Sequence, residues 1–206
     1  MTTSRPLAGY RVLSLAEQYP GPFATLLLSD LGADVVQLER PDGGDPARRY
    51  PAFHAALNRG KRSIALDLKQ AEGLATARAL IAHVDVLLEG FRPGVMHRLG
   101  LGPATLTATN PGLVYVSGSG FGQSGPYRDR PAHDLSYQAM TGLLDPVTAP
   151  DQLPILSLAD LAAGLFAAIA ALTGLAGRAG NGGRGGVYDV SMFDTLVSLM
   201  TTHLAP

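Results

Sequence analysis

Short apolar runs alternate with helix-forming segments along the first two thirds of this chain, and the alternation limits the folds that it can adopt. Segments such as Arg11–Leu15 and Val84–Leu88 are typical of buried strands, while Pro22–Leu31 and Gln70–His83 are typical of helices. The pattern predicts an α/β fold in which a parallel sheet carries helices on both faces. The other predicted strands are Asp34–Leu38, Ile64–Asp67 and Leu113–Ser117.

The last third of the chain has a different pattern. Ser157–Leu175 predicts a long apolar helix, and its most apolar run, Leu161–Ala176, is too short for a confident membrane span. We interpret that run as a buried core helix. Six of the ten residues in Gly177–Gly186 are glycine, which predicts a flexible turn. Residues 187–203 fit either a strand or a helix.

The composition favours one hydrophobic core. Of 206 residues, 46% are hydrophobic and 16% are charged, so we predict a single domain over residues 1–206. The formal net charge of −1 gives no electrostatic footprint for nucleic acid or an anionic membrane. The absence of cysteine excludes disulfides and thiolate chemistry, and the N-terminus lacks the apolar segment of a secretory signal. We therefore expect a cytoplasmic protein.

Glycine, proline and arginine follow three of the predicted strands, at the edge where parallel sheets bind ligands. The three segments are Glu39–Pro41, Glu89–Gly94 and Gly118–Gly122. The overlapping stretch Gly120–Gly125 has the pattern G-x-G-x-x-G, but a dinucleotide site needs a helix to open at that point. Because Pro126 and Pro131 predict a loop there, we do not expect nicotinamide or flavin binding.

Two ionisable side chains, His133 and Asp160, lie in segments that are otherwise poor in charge. Imidazole and carboxylate are the commonest groups for moving protons near neutral pH. On opposite sides of a carbon acid, they could remove a proton from one face and return one to the other, as in a racemase. Ser157 and Asp160 also have the spacing of a helix capping box. In a first helical turn, the helix dipole would favour the charged form of Asp160, which suits a base or nucleophile.

Several segments, taken in order, resemble the class III CoA-transferase (CaiB/BaiF) family. The match runs from about Pro6 to Asp194, and no single segment carries it. The segments are Pro6–Leu13, Asp30–Val36, Asn58–Lys69, Asp85–Val95, Arg98–Leu101, Gly120–Pro126 and Gly182–Gly186. In addition, residues 132–137 resemble the Gly-His-Asp-x-Asn-Tyr segment of racemase-like members, with Ala132 and Ser136 in place of Gly and Asn.

The resemblance implies a Rossmann-like large domain that binds CoA thioesters, usually in an interlaced homodimer. The CoA thioester would be the substrate, and no separate cofactor or metal is implied. Arg40, Arg92 and Arg98 would meet the phosphates and adenine end of CoA, a task that suits the guanidinium fork. The full set of implied CoA-binding residues is Arg40, Leu66, Asp67, Leu68, Lys69, Gly90, Phe91, Arg92, Pro93, Gly94, Val95, Arg98, Ala132, Tyr137 and Ala159.

Members of the family catalyse different reactions, so three functions stay open for this chain. In a racemase or epimerase, His133 and Asp160 would exchange the α-proton of a 2-methylacyl-CoA, with backbone N–H groups at the start of the Ser157 helix stabilising the enolate. In a CoA-transferase, Asp160 would form an acyl anhydride and move CoA between carboxylic acids. The third function is a non-catalytic CoA-binding fragment or assembly module. We favour the racemase because His133, Asp134 and Tyr137 occur together. Family members continue past the position of Pro206 into a smaller second domain, which leaves activity of this chain alone open.

Overall fold

The structure, a computed structural model, describes residues 5–144 and 154–204. A wholly parallel sheet with the strand order β3-β2-β1-β4-β5-β6 forms its centre. The strand order reverses between β1 and β4, as in doubly wound Rossmann-like folds. The predicted α/β fold class is therefore confirmed. The strands are β1 Arg11–Leu15, β2 Asp34–Glu39, β3 Arg62–Ala65, β4 Val86–Glu89, β5 Val114–Ser119 and β6 Val187–Ser191.

Helices cover both faces of the sheet, and an apolar core lies under each face. Val12 and Val86 point into one core, which α1 and α7 close, whereas their neighbours Leu13 and Leu87 point into the other, which α3 closes. Because successive residues of a strand face opposite sides, strands covered on both faces are mostly apolar. The helices are α1 Pro20–Asp30, α2 Pro51–Asn58, α3 Ala71–Ile81, α4 Val95–Arg98, α5 Pro103–Thr109, α6 Asp134–Met140, α7 Leu158–Gly177, α8 Met192–Leu199 and α9 Thr201–Leu204.

The long apolar helix α7 packs against α1, β5 and α8. Gly164 permits the close approach to α1, because a Cβ there would lie 2.8 Å from both the Pro20 carbonyl oxygen and Phe23 Cδ1. By length and composition alone the helix could cross a membrane, but 50% of its apolar window is buried inside the fold. This burial supports our interpretation of the segment as a core helix.

Several element bounds differ from the predicted ones. Helix α1 begins at Pro20, two residues before the prediction, because proline is favoured at the first helical position. Strand β3 begins at Arg62, also two residues early, because Arg62 is in register with Val36 of β2. Strands β4 and β5 start and end one or two residues later than predicted. Residues 187–203, which fit either a strand or a helix, form β6 and then the short helices α8 and α9. The short helices α2, α4, α5 and α6 were not predicted, because they are too short to show a helical period.

Candidate active site

A cavity of about 250 Å³ opens at the carboxyl ends of β1, β4 and β5. His133, which directly precedes α6, and Asp160, in the first turn of α7, both line it. The structure thus brings the two predicted catalytic side chains to one cavity, which we call the central cleft. Its position is the switch point of the sheet, where doubly wound folds bind ligands. Its apolar wall is formed mainly by Ala16, Leu88, Ala132, Ala163, Val190 and Met192.

The start of α7 is capped by a residue that the sequence did not indicate. Asp134 Oδ1 accepts hydrogen bonds from the backbone N–H groups of Ala159, at 2.7 Å, and Asp160, at 3.3 Å. Ser157 makes no side-chain capping bond among the described residues, so the predicted capping box of Ser157 and Asp160 is wrong. The reason is that α6 delivers a carboxylate to the first turn of α7 and satisfies its exposed N–H groups. Two of the N–H groups expected to stabilise an enolate are therefore already occupied.

The electrostatic state of Asp160 also differs from expectation. Burial, and next the negative charge of Asp134, raise the pKa of Asp160 to about 6 from 3.8. We expected the helix dipole to favour the charged form, but desolvation outweighs that preference here, because the charged form loses water on burial. The side chain is still mostly ionised at pH 7 and is close enough to its pKa to take up or release a proton. The neighbouring Asp160 charge also contributes to the raised pKa of Tyr19, after burial.

A second cavity, of about 420 Å³, adjoins the central cleft and is rich in arginine. Arg92 and Arg98 line it as predicted, together with Arg128 and Arg130, which sequence reasoning had assigned only to a loop. We call this cavity the arginine cleft. Of the other predicted CoA-binding residues, Gly90, Phe91, Pro93, Ala132 and Tyr137 also line it. Asp129 also lines this cavity and pairs with Arg128 at 3.2 Å, but the arginines outnumber it and make a site suited to an anion such as a phosphate.

Gly94 explains how two of these arginines come together. Its φ of +84° lies in the left-handed region, at the N-terminal cap of α4. A Cβ at this position would lie 3.3 Å from a guanidinium nitrogen of Arg98 and equally close to one of Arg128. Gly94 itself lines a different cavity, beside Tyr188 and Asp189. Its predicted role as a CoA contact therefore receives no direct support, and its role in the arginine cleft is to shape the turn.

The central and arginine clefts meet at a junction formed by five residues, most of them small. Its members are Gly90, Ser119, Gly120, Ala132 and His133, which line both cavities. Ser119 is 9% exposed, and within the described ranges its hydroxyl has no hydrogen-bond partner. A buried hydroxyl without a partner is costly, so it is a natural contact for a polar group of a bound molecule. Sequence reasoning missed Ser119, because a serine after a strand is not distinctive.

A third cavity, of about 540 Å³, lies at the carboxyl ends of β1, β2 and β3, and we call it the edge cleft. It collects the predicted residues Arg40, Leu66, Asp67, Leu68, Lys69, Phe91 and Val95. Arg40 pairs with Glu17 at 2.8 Å, so that a phosphate at this place would have to share the guanidinium group with a carboxylate. Phe91 lines both the arginine and the edge clefts. Ala159 differs from the rest of the predicted set, because it is completely buried and lines none of these three clefts.

Glu89, at the end of β4, is a further acidic group that the sequence did not single out as functional. It lines the central cleft, is 3% exposed and accepts hydrogen bonds from the Ser117 hydroxyl and, at 2.9 Å, from the Phe91 N–H. Burial raises the pKa of Glu89. The central cleft therefore contains acidic groups without arginine or lysine in its described lining, whereas the arginine cleft contains four arginines and Asp129; His133 lines both.

The doubly wound fold and the two adjoining clefts define an α/β protein with a histidine and an aspartate in the cleft at the switch point and a group of arginines beside it. A comparison with known families identifies the particular family. The model of CoA-transferase family III matches residues 7–206, so the chain belongs to this family.

The relatives that this chain resembles include proteins named as CoA-transferases and proteins named as racemases. Succinyl-CoA–D-citramalate CoA-transferase of Chloroflexus aurantiacus is 43% identical over 176 residues, which cover 80% of this chain and 44% of that protein. Alpha-methylacyl-CoA racemase of Homo sapiens is 44% identical over 161 residues, which cover 77% of this chain and 40% of that protein. A CAIB/BAIF family protein from Brucella suis, known from its crystal structure, matches with a TM-score of 0.89 and 37% identity, over 96% of this chain and 56% of that one. The chain thus spans about half the length of these relatives.

Proposed function

We propose that the protein acts as an acyl-CoA racemase or epimerase on 2-methylacyl-CoA thioesters. The observation that carries the proposal is that His133 and Asp160 line the same cleft. One of them removes the α-proton, which leaves an enolate, and the other protonates the opposite face of the α-carbon. Each event moves one proton and leaves the thioester bond intact. General acid–base help of this kind contributes ~10²–10⁴ in rate.

The pKa of Asp160 suits this exchange. A group that must accept a proton in one direction and donate it in the other works best when its pKa is near the working pH. Burial and the charge of Asp134 raise the pKa of Asp160 to about 6, which approaches neutral pH. A surface aspartate would be a weaker base by comparison, because its conjugate acid loses its proton too readily.

The charge of the central cleft supports an uncharged acyl group. Glu17, Glu89 and Asp160 line it, and among the residues that the structure describes no lysine or arginine does. Glu17 is paired with Arg40, but an acyl group with a second carboxylate would still meet Asp160 and Glu89, with no lysine or arginine in the described lining to pair with. A 2-methylacyl group would instead contact the apolar wall of Ala16, Leu88 and neighbouring residues. This favours an apolar acyl-CoA over a dicarboxylic one.

The CoA part of the substrate is proposed to occupy the other two clefts. Its phosphates fit the arginine cleft, because Arg92, Arg98 and Arg128 converge there. The narrow pantetheine arm would pass the junction, where the hydroxyl of Ser119 can bond one of its polar groups. No separate cofactor is needed for proton transfer at a thioester. A cytoplasmic homodimer, interlaced in the full-length family, remains part of the proposal.

A CoA-transferase is the second candidate, favoured by the name of the Chloroflexus aurantiacus relative. In that reaction the Asp160 carboxylate attacks the thioester carbonyl and expels CoA thiolate, which gives a mixed anhydride. The thiolate then attacks the aspartyl carbonyl and releases the first acid, leaving CoA on the enzyme for a second acid. This chemistry uses Asp160 as a nucleophile and has no task for His133 as a proton acceptor.

One experiment separates the candidates. The protein is incubated in deuterated water with each enantiomer of a 2-methylacyl-CoA, and in parallel with an acyl-CoA and a different free acid. The racemase proposal predicts deuterium at the α-carbon and interconversion of the enantiomers without transfer of CoA. Transfer of CoA without α-deuteration would overturn it in favour of the transferase. Binding of the thioester without either reaction would indicate a non-catalytic CoA-binding module.

A further inference from the structure

The side chain of Asp134 joins the two segments that carry the proposed catalytic residues. Asp134 is the first residue of α6 and directly follows His133. Its Oδ1 atom accepts from the N–H groups of Ala159 and Asp160 in α7, 25 and 26 residues further along the chain. The carboxylate of Asp134, the residue next to His133, therefore bonds to the backbone of Asp160. We infer that Asp134 is the positioning residue that holds His133 and Asp160 in the central cleft.

The other oxygen of Asp134 is fixed as well. Gln138, one turn later in α6, donates from Nε2 to Asp134 Oδ2 at 2.5 Å and to the Leu156 carbonyl oxygen at 3.3 Å. Gln138 is 1% exposed, so this amide is held inside the fold. Both oxygens of Asp134 thus have partners, which restricts the rotation of its side chain. A restricted carboxylate transmits the placement of α6 to the first turn of α7.

Asp134 also acts on Asp160 through its charge, and the sign of this effect can be derived. A negative group beside a carboxylate disfavours ionisation, so removal of the charge should lower the pKa of Asp160. Ionisable groups from several elements surround Asp160. Among them, Asp134 is the carboxylate that accepts a hydrogen bond from the Asp160 backbone. The other groups that face this part of the cleft are His133 and Tyr137 of the α6 segment, Tyr19 before α1, Glu17 after β1 and Glu89 of β4.

The experiment uses two variants and a matched control in this chain. Asp134→Asn keeps one oxygen that can cap α7, but it removes the charge and the acceptor for Gln138. Asp134→Ala removes the charge and both acceptors. Asp194→Asn is the control, because Asp194 is an exposed carboxylate in the first turn of α8. The ionisation of Asp160 is followed by carboxyl ¹³C NMR, with its signal assigned from Asp160→Asn, and α-proton exchange is measured against pH.

We expect Asp134→Asn to lower the midpoint of the Asp160 titration, and the acidic limb of the exchange profile, by roughly half a pH unit. Exchange at the optimum should stay within about threefold of the wild type, because the cap remains. Asp134→Ala should lose at least tenfold in kcat with little change in KM, and a lower melting temperature. The control should change none of these quantities.

An Asp160 titration that does not move in Asp134→Asn, or moves equally in the control, would overturn the inference. So would an Asp134→Ala variant with wild-type kcat. The inference rests on the proposed function, but the two can fail separately. If the wild type exchanges no α-proton, the racemase proposal falls, while the NMR titration still decides whether Asp134 controls Asp160.

Discussion

The central cleft and the arginine cleft share a junction but have opposite electrostatic character. The central cleft has Glu17, Glu89 and Asp160 in its wall, and the arginine cleft has four arginines. Both contain residues from the loops that follow β4 and β5, but Glu17 and Asp160 of the central cleft come from the segment after β1 and from α7. The difference in charge comes from which side chains these segments carry, and from turns such as Gly94 that bring guanidinium groups together.

The difference between the two clefts shows how the carboxyl edge of one sheet can hold two sites with different charge requirements. A proton-transfer site needs groups with pKa values near neutrality, which burial and like charges supply. A phosphate site needs fixed positive charge, which would lower the pKa of any nearby carboxylate. Keeping arginine out of the central cleft allows the pKa of Asp160 to stay raised, at about 6. The predictions below change one cleft at a time.

The largest effect is expected for Asp160→Asn in the central cleft. The amide is close in size to the carboxylate but cannot accept the α-proton or attack a carbonyl. We expect α-proton exchange to fall by ~10²–10⁴, the contribution of general acid–base catalysis. CoA binding, measured by calorimetry, should stay close to the wild-type value, because the arginine cleft is untouched. Exchange at the wild-type rate would remove Asp160 from the mechanism.

Substitutions in the arginine cleft should weaken CoA binding and leave proton exchange at saturating substrate unchanged. Arg92→Ala or Arg98→Ala removes a charge-assisted hydrogen bond, which should weaken CoA binding by about 1.5–3 kcal/mol. The pH dependence of exchange at saturating substrate should not move. Arg49→Ala, which changes an exposed arginine outside both clefts, is the matched control. If calorimetry gives the same affinity for all three variants and the wild type, the arginine cleft does not bind CoA.

The raised pKa of Asp160 also predicts an effect on stability. The pKa is about 6 in the folded chain against 3.8 for the free side chain. The contribution of this group to stability is therefore full below pH 3.8 and is lost as the pH rises through about 6. At pH 7 and above, Asp160→Asn should stabilise the fold by about 1–2 kcal/mol, a value reduced for partial exposure.

Urea unfolding of Asp160→Asn at several pH values checks this prediction. The gain should shrink as the pH falls from 7 through the folded pKa of about 6, and it should vanish below pH 3.8, where Asp160 becomes neutral in the unfolded chain as well. A gain that does not depend on pH would show that desolvation of the charge is not its cause. Together with the loss of exchange, the expected result would show a residue that costs stability and supplies function.

The smallest effect is expected at the junction, for Ser119→Ala. The hydroxyl is buried without a partner in the described part of the chain, so its removal should slightly raise the melting temperature. If it bonds the pantetheine arm, acyl-CoA binding should weaken by about 0.5–1.5 kcal/mol. The exposed Ser136 gives the control, Ser136→Ala. Equal effects of the two substitutions on binding would exclude Ser119 from the ligand path.

The sheet could be predicted from the sequence because each central strand is covered on both faces. Val12 and Leu13 enter opposite cores, and the same holds for Val86 and Leu87, so the strands appear as continuous apolar runs. Strand β3 was misplaced because its first two residues, Arg62 and Ser63, are polar and exposed, and because Leu66 continues the apolar pattern past its end. The reversal of strand order between β1 and β4 has no local signal, since it depends on which strands pair.

The site was only partly predictable. His133 and Asp160 stand out because they are ionisable groups near apolar segments, and they do reach one cleft. The capping role of Asp134 was missed because its partner lies 25 residues away, beyond the reach of capping patterns that act within one helix. Arg128 and Arg130 were missed because a loop has no period that indicates where its side chains point. Contacts between distant segments account for most of what the sequence could not supply.

The central claim is that His133 and Asp160 serve opposite faces of the α-carbon, and His133→Ala tests it most directly. The variant is incubated in deuterated water with the R and the S enantiomer of a 2-methylacyl-CoA in separate reactions. The account predicts that interconversion stops, while α-deuteration persists for the one enantiomer whose proton faces Asp160. A variant that still interconverts both enantiomers at the wild-type rate would contradict it.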